Sequence, residues 1–164
     1  MSRKAPDAPF IRPEGKAIRT ANLVAEAAGL PVLLAFFKTS CPTCRLTWPY
    51  LQRLHAAYGG KAVHVVGVSQ NDAAESRRYF EEFGRAKFDL VLDPEPQFTA
   101  SNAFHVEAVP HLALLSPKGE LEETFAGWSK AKMEALGNRF AKEKSLPPVP
   151  VVPPGDPVAD FQAG

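Results

Sequence analysis

The stretch PVLLAFFKTSCPTCRLTWPYLQRL, residues 31–54, decides the fold. Its first part, 31–37, is an unbroken apolar run, too short to cross a membrane and of the right length for a strand buried on both faces. Beyond Cys44, the apolar residues Leu46, Tyr50, Leu51, Leu54 and Tyr58 recur at near-helical spacing. The only two cysteines of the chain, Cys41 and Cys44, stand between strand and helix. A sulfur placed there lies at a helix N-terminus, where unpaired backbone N–H groups and the positive dipole end favour thiolate over thiol. The Cys-x-x-Cys spacing lets Cys44 reach Cys41 within one helical turn and close a disulfide. The pair reads as a redox site.

Composition narrows the context. With 164 residues, 45% of them apolar, the chain can bury a real core in one domain, expected over 1–145. A net charge of +1 gives no argument for nucleic acid or an acidic membrane surface, and Arg77 and Arg78 beside Glu81 and Glu82 read as solvated helix surface. The N-terminus carries no apolar stretch of signal-peptide length, and no window approaches the roughly 20 apolar residues of a membrane span. As written, the chain is expected in the cytoplasm; a secreted or anchored protein with a trimmed N-terminus would read the same way. Two cysteines cannot build a structural framework, so the pair is expected to be reactive. Histidines 55, 64, 105 and 111 have no ligand spacing, and no metal or organic cofactor is expected beside the Cys41–Cys44 disulfide.

The order of elements gives the fold class. Residues 1–15 read as irregular, and 17–29 as a short helix ended by Gly29, Leu30 and Pro31. Strands are expected at 31–38, 61–69, 88–92 and 109–115, with a hairpin strand at 120–126 after a turn at 116–119. The helix after the cysteines carries Pro49 in its interior and is expected to kink there. Asn71 and Asp72 open a further helix, with Glu75 at the capping-box position. Asp93 and Pro94 signal a helix over 94–104, and Ser129 caps the last one. Six prolines in 147–157 predict that 146–164 is a disordered or extended polyproline tail. The class is α/β: a central mixed sheet, mainly parallel, with helices on both faces and antiparallel strands at one edge. Catalytic groups in such sheets lie beyond the carboxyl ends of the strands, where Cys41 and Cys44 fall.

These residues together resemble the thioredoxin-fold superfamily, in particular the TlpA/ResA-type thiol–disulfide oxidoreductases of the redoxin family. The strand leading into Cys41-Pro42-Thr43-Cys44, Pro49 in the following helix, the Val109-Pro110 dipeptide and the hairpin from Ser116 followed by Phe125-Ala126-Gly127 carry the likeness over roughly 6–145. The helix–strand insertion at about 70–105 is similar to that of this branch. The resemblance implies a cis bond before Pro110, facing the cysteines. It also implies exchange of disulfides with a partner protein, with electrons from a donor the sequence does not identify. Three positions depart from the pattern: Ser40 replaces the aromatic before the first cysteine, and Ala35 and Thr47 replace the acids found near the second sulfur.

Under this reading Cys41 is the nucleophile and Cys44 the resolving thiol. Val109 and Pro110 form the substrate-binding loop, the Val109 backbone pairing with an extended substrate strand. Thr47 and His111 are possible auxiliary residues for moving a proton or stabilising thiolate. Pro42 and Thr43 bring no charge to the pair, and a moderately reducing disulfide is expected. Two alternatives stay open. A peroxiredoxin-like thiol peroxidase shares the fold, although its Pro-x-x-x-Thr-x-x-Cys loop is missing: Thr39 stands two residues before Cys41 rather than three, Phe37 and not proline stands four before, and Arg45 cannot by itself supply the site with the arginine it also needs. A copper-binding or docking protein would use Cys41, Cys44 and His111, and the proline-rich tail could recruit a partner.

Overall fold

Residues 3–164, described by a computed structural model, begin with the short strands β1 (Arg3–Lys4), β2 (Pro9–Ile11) and β3 (Ala17–Arg19) and helix α1 (Thr20–Glu26). Then come β4 (Val32–Phe37), α2 (Pro42–Tyr58), β5 (His64–Ser69), α3 (Ala73–Glu82), β6 (Asp89–Leu92) and α4 (Thr99–Ala103). The chain closes with β7 (His111–Leu115), β8 (Glu120–Ala126), β9 (Trp128–Ser129), α5 (Lys130–Glu143) and β10 (Phe161–Gln162). The main sheet runs β1-β8-β7-β4-β5-β6-β2-β3, with β4, β5 and β6 parallel and the remaining pairs antiparallel. Antiparallel strands therefore border the parallel centre on both sides and not at one edge alone, as the sequence predicts.

β4 explains why its residues are apolar without alternation. Leu33, Ala35 and Phe37 pack with Cys44, Trp48 and Leu51 of α2 and with Phe140 of α5. Val32, Leu34 and Phe36 point the other way, into a second core with Phe10, Leu23 and Phe104. A strand covered on both faces has no solvent side to mark with polar residues.

Register fixes what meets at the carboxyl end of β4. Phe36 pairs with His111, and His111 with Ala126. The segments just outside these pairs, 38–44, 109–110 and 127–128, are therefore brought to the same end of the sheet. A hydrogen bond from Gly127 N to the Pro110 carbonyl, at 2.8 Å, ties two of them together. The Val109–Pro110 bond is cis.

Several local expectations meet a different structure. Part of 1–15 is strand, and Ala17–Arg19 pairs with β2 before α1 begins, because Phe10 and Ile18 bury against the second core; Met1 and Ser2 lie outside the described residues. The helix expected over 94–104 shrinks to Thr99–Ala103. Pro96, in a cis bond to Glu95, cannot donate within a first turn and disfavours helical backbone before it. Asp93 still serves the helix from a distance, accepting from Ala100 N, Ser101 N and Ser101 Oγ at 3.0, 2.7 and 2.6 Å. At α3 the Asp72 side chain accepts from Glu75 N at 2.8 Å, while the Glu75 carboxylate takes Asn71 Nδ2 instead of closing a capping box.

The largest difference is at 146–164, which lies packed against the domain. Val151 and Val152 are buried in the α2–α5 core. Arg53 donates to the carbonyls of Val151 and Pro150, and the Tyr58 hydroxyl bonds to Val149 N at 2.7 Å. Prolines prevent helix and ladder, but they leave carbonyls to accept and valines to bury. No helix among the described residues is long and apolar enough to cross a membrane.

Arg12, following β2, ties the far edge of the sheet to β6. Its guanidinium holds both Asp89 oxygens, at 2.9 and 2.8 Å, and also reaches Glu26. Burial pushes the Asp89 carboxyl up, but hydrogen bonds from His64 and Arg12 outweigh it and hold the group down at about 2. A depressed carboxyl contributes stability above its unfolded value and loses it as pH falls through the folded value. Stability to urea is therefore expected to fall as pH drops from about 4 to about 2 more steeply in the wild type than in Asp89→Asn. Equal pH slopes in the two proteins would contradict this assignment.

Candidate active site

Cys41 caps α2. Its backbone is extended, Pro42 follows at the first helical position, and the Cys41 sulfur accepts the Cys44 N–H at 3.2 Å. On its other side the Cys41 thiol donates to the Val109 carbonyl at 3.3 Å. The half-buried Cys41 sulfur thus sits between the helix N-terminus and the cis-proline loop, with one polar backbone contact to each. The two cysteines are unlinked in this structure.

Cys44 is different in kind. It has no exposed surface and packs with Phe37 and Trp48. Burial, and then the hydrogen bond to the Cys41 sulfur, push its thiol well above the ordinary cysteine range. No acid offsets this at the positions of the family pattern. Ala35 is apolar, and the buried Thr47 hydroxyl is spent on the Thr43 carbonyl one turn back, at 2.7 Å. The pair is therefore asymmetric: one accessible sulfur and one that stays protonated in an apolar wall.

His111 is not brought to this pair. Its register partner is Phe36, whose ring it meets edge-on at 5.9 Å, and Phe36 belongs to the core on the opposite face of the sheet from α2. Burial lowers the His111 imidazole, favouring its neutral form. Arg45 is likewise turned away, donating to the Thr39 carbonyl at 3.2 and 3.0 Å and lying over the Phe83 ring. Among the described residues one group could offer three ligands to a metal, Glu26, His64 and Asp89 at the far edge of the sheet. Arg12 already neutralises its carboxylates.

Sequence reasoning missed Tyr79 beside the cysteines and the contacts that Thr43 and Gly127 make. Tyr79 of α3 packs its ring on Phe37 and Trp48, with centroids at 4.9 and 5.5 Å, and its hydroxyl is buried without a partner among the described residues. Thr43 is buried and bonded to residues 162 and 163. Gly127 stands beside the same two residues. Tyr79 carried only the helical spacing of an apolar face, and nothing near 162 announced a role.

A model of the AhpC/TSA family matches residues 1–124. The chain belongs to the AhpC/TSA family. Sporulation thiol-disulfide oxidoreductase A of Bacillus subtilis is 28% identical over 102 residues, covering 60% of this chain and 61% of that protein. Thiol-disulfide oxidoreductase ResA of Halalkalibacterium halodurans is 25% identical over 109 residues, covering 66% of this chain and 60% of that one. The chain thus spans less than two thirds of the length of either relative. The thioredoxin domain of a thiol-disulfide oxidoreductase from Bacteroides vulgatus superposes with a TM-score of 0.69 at 21% identity, covering 84% of this chain and 94% of that one. StoA from Bacillus subtilis superposes with a TM-score of 0.58 at 25% identity, covering 78% and 94%. The fold of this AhpC/TSA-family chain is the thioredoxin fold.

Exposure and burial of the two sulfurs predict their reactivity. Iodoacetamide near neutral pH is expected to modify Cys41 first in the reduced protein, with Cys44 at least about tenfold slower. Peptide mapping over a time course measures both, and comparable rates would contradict the asymmetry.

Proposed function

We propose that this chain is a thiol–disulfide oxidoreductase that exchanges disulfides with a partner protein. The observation that carries the reading is the Cys41 sulfur held between the Cys44 N–H and the Val109 carbonyl, one helical turn from a buried second thiol. Cys41 thiolate attacks one sulfur of the partner's disulfide. A Cys41–partner disulfide forms, and the other partner sulfur leaves as thiolate and takes a proton. Cys44 then loses its proton, attacks the Cys41 sulfur and displaces the second partner thiolate. Two electrons have passed to the partner, and the protein ends as the Cys41–Cys44 disulfide, which a separate electron donor reduces.

Val109 and Pro110 supply the place for the partner. An extended segment lying along Val109 would pair with its backbone and set its disulfide beside Cys41. In a reducing compartment such as the cytoplasm the cycle runs as reduction of the partner. The orientation of Arg45 toward the Thr39 carbonyl leaves Cys41 without the arginine that a peroxidase needs. The placement of His111 on the opposite face deprives the copper reading of its third ligand.

A Cys44→Ser variant incubated with insulin is expected to accumulate a mixed disulfide through Cys41 that dithiothreitol releases. Cys41→Ser is expected to form none. In the wild type, resolution should speed up by about tenfold per pH unit above neutrality, because the Cys44 thiolate is a minor species there. Failure of Cys44→Ser to capture insulin under conditions where Cys41 is alkylated would sink the reading.

A further inference from the structure

The segment that follows the buried Val151–Val152 anchor does not turn out into solvent. It runs along α2 and arrives at the active site. The Tyr50 hydroxyl donates to Asp156 Oδ2 at 2.9 Å, and Trp128 Nε1 donates to the Ala159 carbonyl at 2.6 Å. Lys130 N donates to the Asp160 carbonyl, and β10 then pairs antiparallel with β9, Phe161 opposite Ser129 and Gln162 opposite Trp128. The next contacts are with the site itself. Gln162 Nε2 donates to Thr43 Oγ1 at 2.8 Å, and Thr43 Oγ1 donates to the Ala163 carbonyl at 2.7 Å. Thr43 is the residue between the cysteines that precedes Cys44. Gly164 lies so close to Val109 that a Cβ on it would overlap the Val109 carbonyl oxygen, the same atom that receives the Cys41 thiol.

We propose that residues 158–164 are an internal strap occupying the substrate-strand site between Thr43, Gly127 and Val109, and that a protein disulfide reaches Cys41 only when the strap is displaced. This inference rests on the oxidoreductase reading and adds the regulation of its substrate cleft. The strap is strand at Phe161–Gln162, as a substrate segment would be, and lies against the residue whose backbone would pair with that segment. Gly127 lets it approach. Its φ is +77°, and a Cβ there would stand 2.7 Å from the Gln162 carbonyl oxygen.

The same contacts divide the tail into an anchor and a movable end. Val151 and Val152 are 3% and 5% exposed, whereas Phe161 in β10 is 63% exposed. A strand of two residues paired with another of two is marginal by itself, so its opening does not require the domain to unfold. Pro153, Pro154 and Gly155 separate the two parts. A large substrate must clear the strap, while a small reagent can reach the half-buried Cys41 sulfur past it.

The test uses the full chain with the double substitution Gln162→Ala and Gly164→Leu, which removes the hydrogen bond from Gln162 to Thr43 and crowds Val109 without touching the core. Amide hydrogen exchange over 158–164 reports whether the strap is docked. Insulin reduction and reaction with a small aromatic disulfide report access to Cys41. The wild type is expected to protect 158–164, and the variant to lose that protection. The variant should reduce insulin at least about fivefold faster, with its rate toward the small disulfide changed by less than about twofold, since only the binding-competent fraction increases. A second variant, Val151→Asp with Val152→Asp, releases the anchor and should act in the same direction. Unprotected 158–164 in the wild type, or released variants that reduce insulin no faster, would overturn the strap. Reaction of every form with the small disulfide but none with insulin would instead overturn the oxidoreductase reading, and the strap with it.

Discussion

The pairing of β4 with β7 is the constraint on which the site depends. With Phe36 opposite His111, the chain leaving β4 and the chain entering β7 must share one end of the sheet. Cys41 caps the helix that starts there, and Val109 faces it across a single hydrogen bond. A slip of one residue would turn every side chain of β7 to the other face. Such a slip would place Leu112 and Leu114 against the wrong core and carry Val109 away from the sulfur. The aliphatic residues that resist the slip are therefore also what positions the chemistry. The scaffold brings the site together, and the hydrogen bonds of Cys41 and Gly127 then join its parts.

The two sulfurs then differ because the fold treats them differently. Cys41 retains solvent and two backbone partners, while Cys44 is sealed under Phe37 and Trp48. Burial without a nearby carboxylate makes the second thiol slow to ionise, and Ala35 and Thr47 occupy the places where an acid would have helped. The unpartnered Tyr79 hydroxyl in the same aromatic wall is a polar atom within an apolar enclosure. Its burial, and then the proximity of Cys44 and Cys41, raise that hydroxyl well above the usual tyrosine range, so it stays neutral and able to donate.

Much of this was legible in the sequence where one physical requirement dominated. The run from Val32 to Phe37 has to be a strand covered on both faces, and a cysteine with proline after it has to start the next helix. The structure departs from the sequence where requirements compete. At 94–104 the Asp93 cap signal was sound, but Pro96 delayed the helix to Thr99. At position 47 a hydroxyl near Cys44 was visible, but its capture by the Thr43 carbonyl is a matter of rotamer. His111 followed the cis-proline in sequence, yet only the register with Phe36 tells which face it takes. At 146–164 composition pointed to disorder, because proline content registers the ladders that cannot form and not the carbonyls and valines that Arg53, Tyr58 and the α2–α5 core can still accept.

The most direct test of the central claim, that Cys41 and Cys44 form one exchangeable dithiol–disulfide couple, is equilibration across glutathione ratios with a count of alkylated thiols. A single reversible transition in which both thiols disappear together, absent from Cys41→Ser and Cys44→Ser, is the predicted result. Two thiols that remain free across the whole series would contradict it.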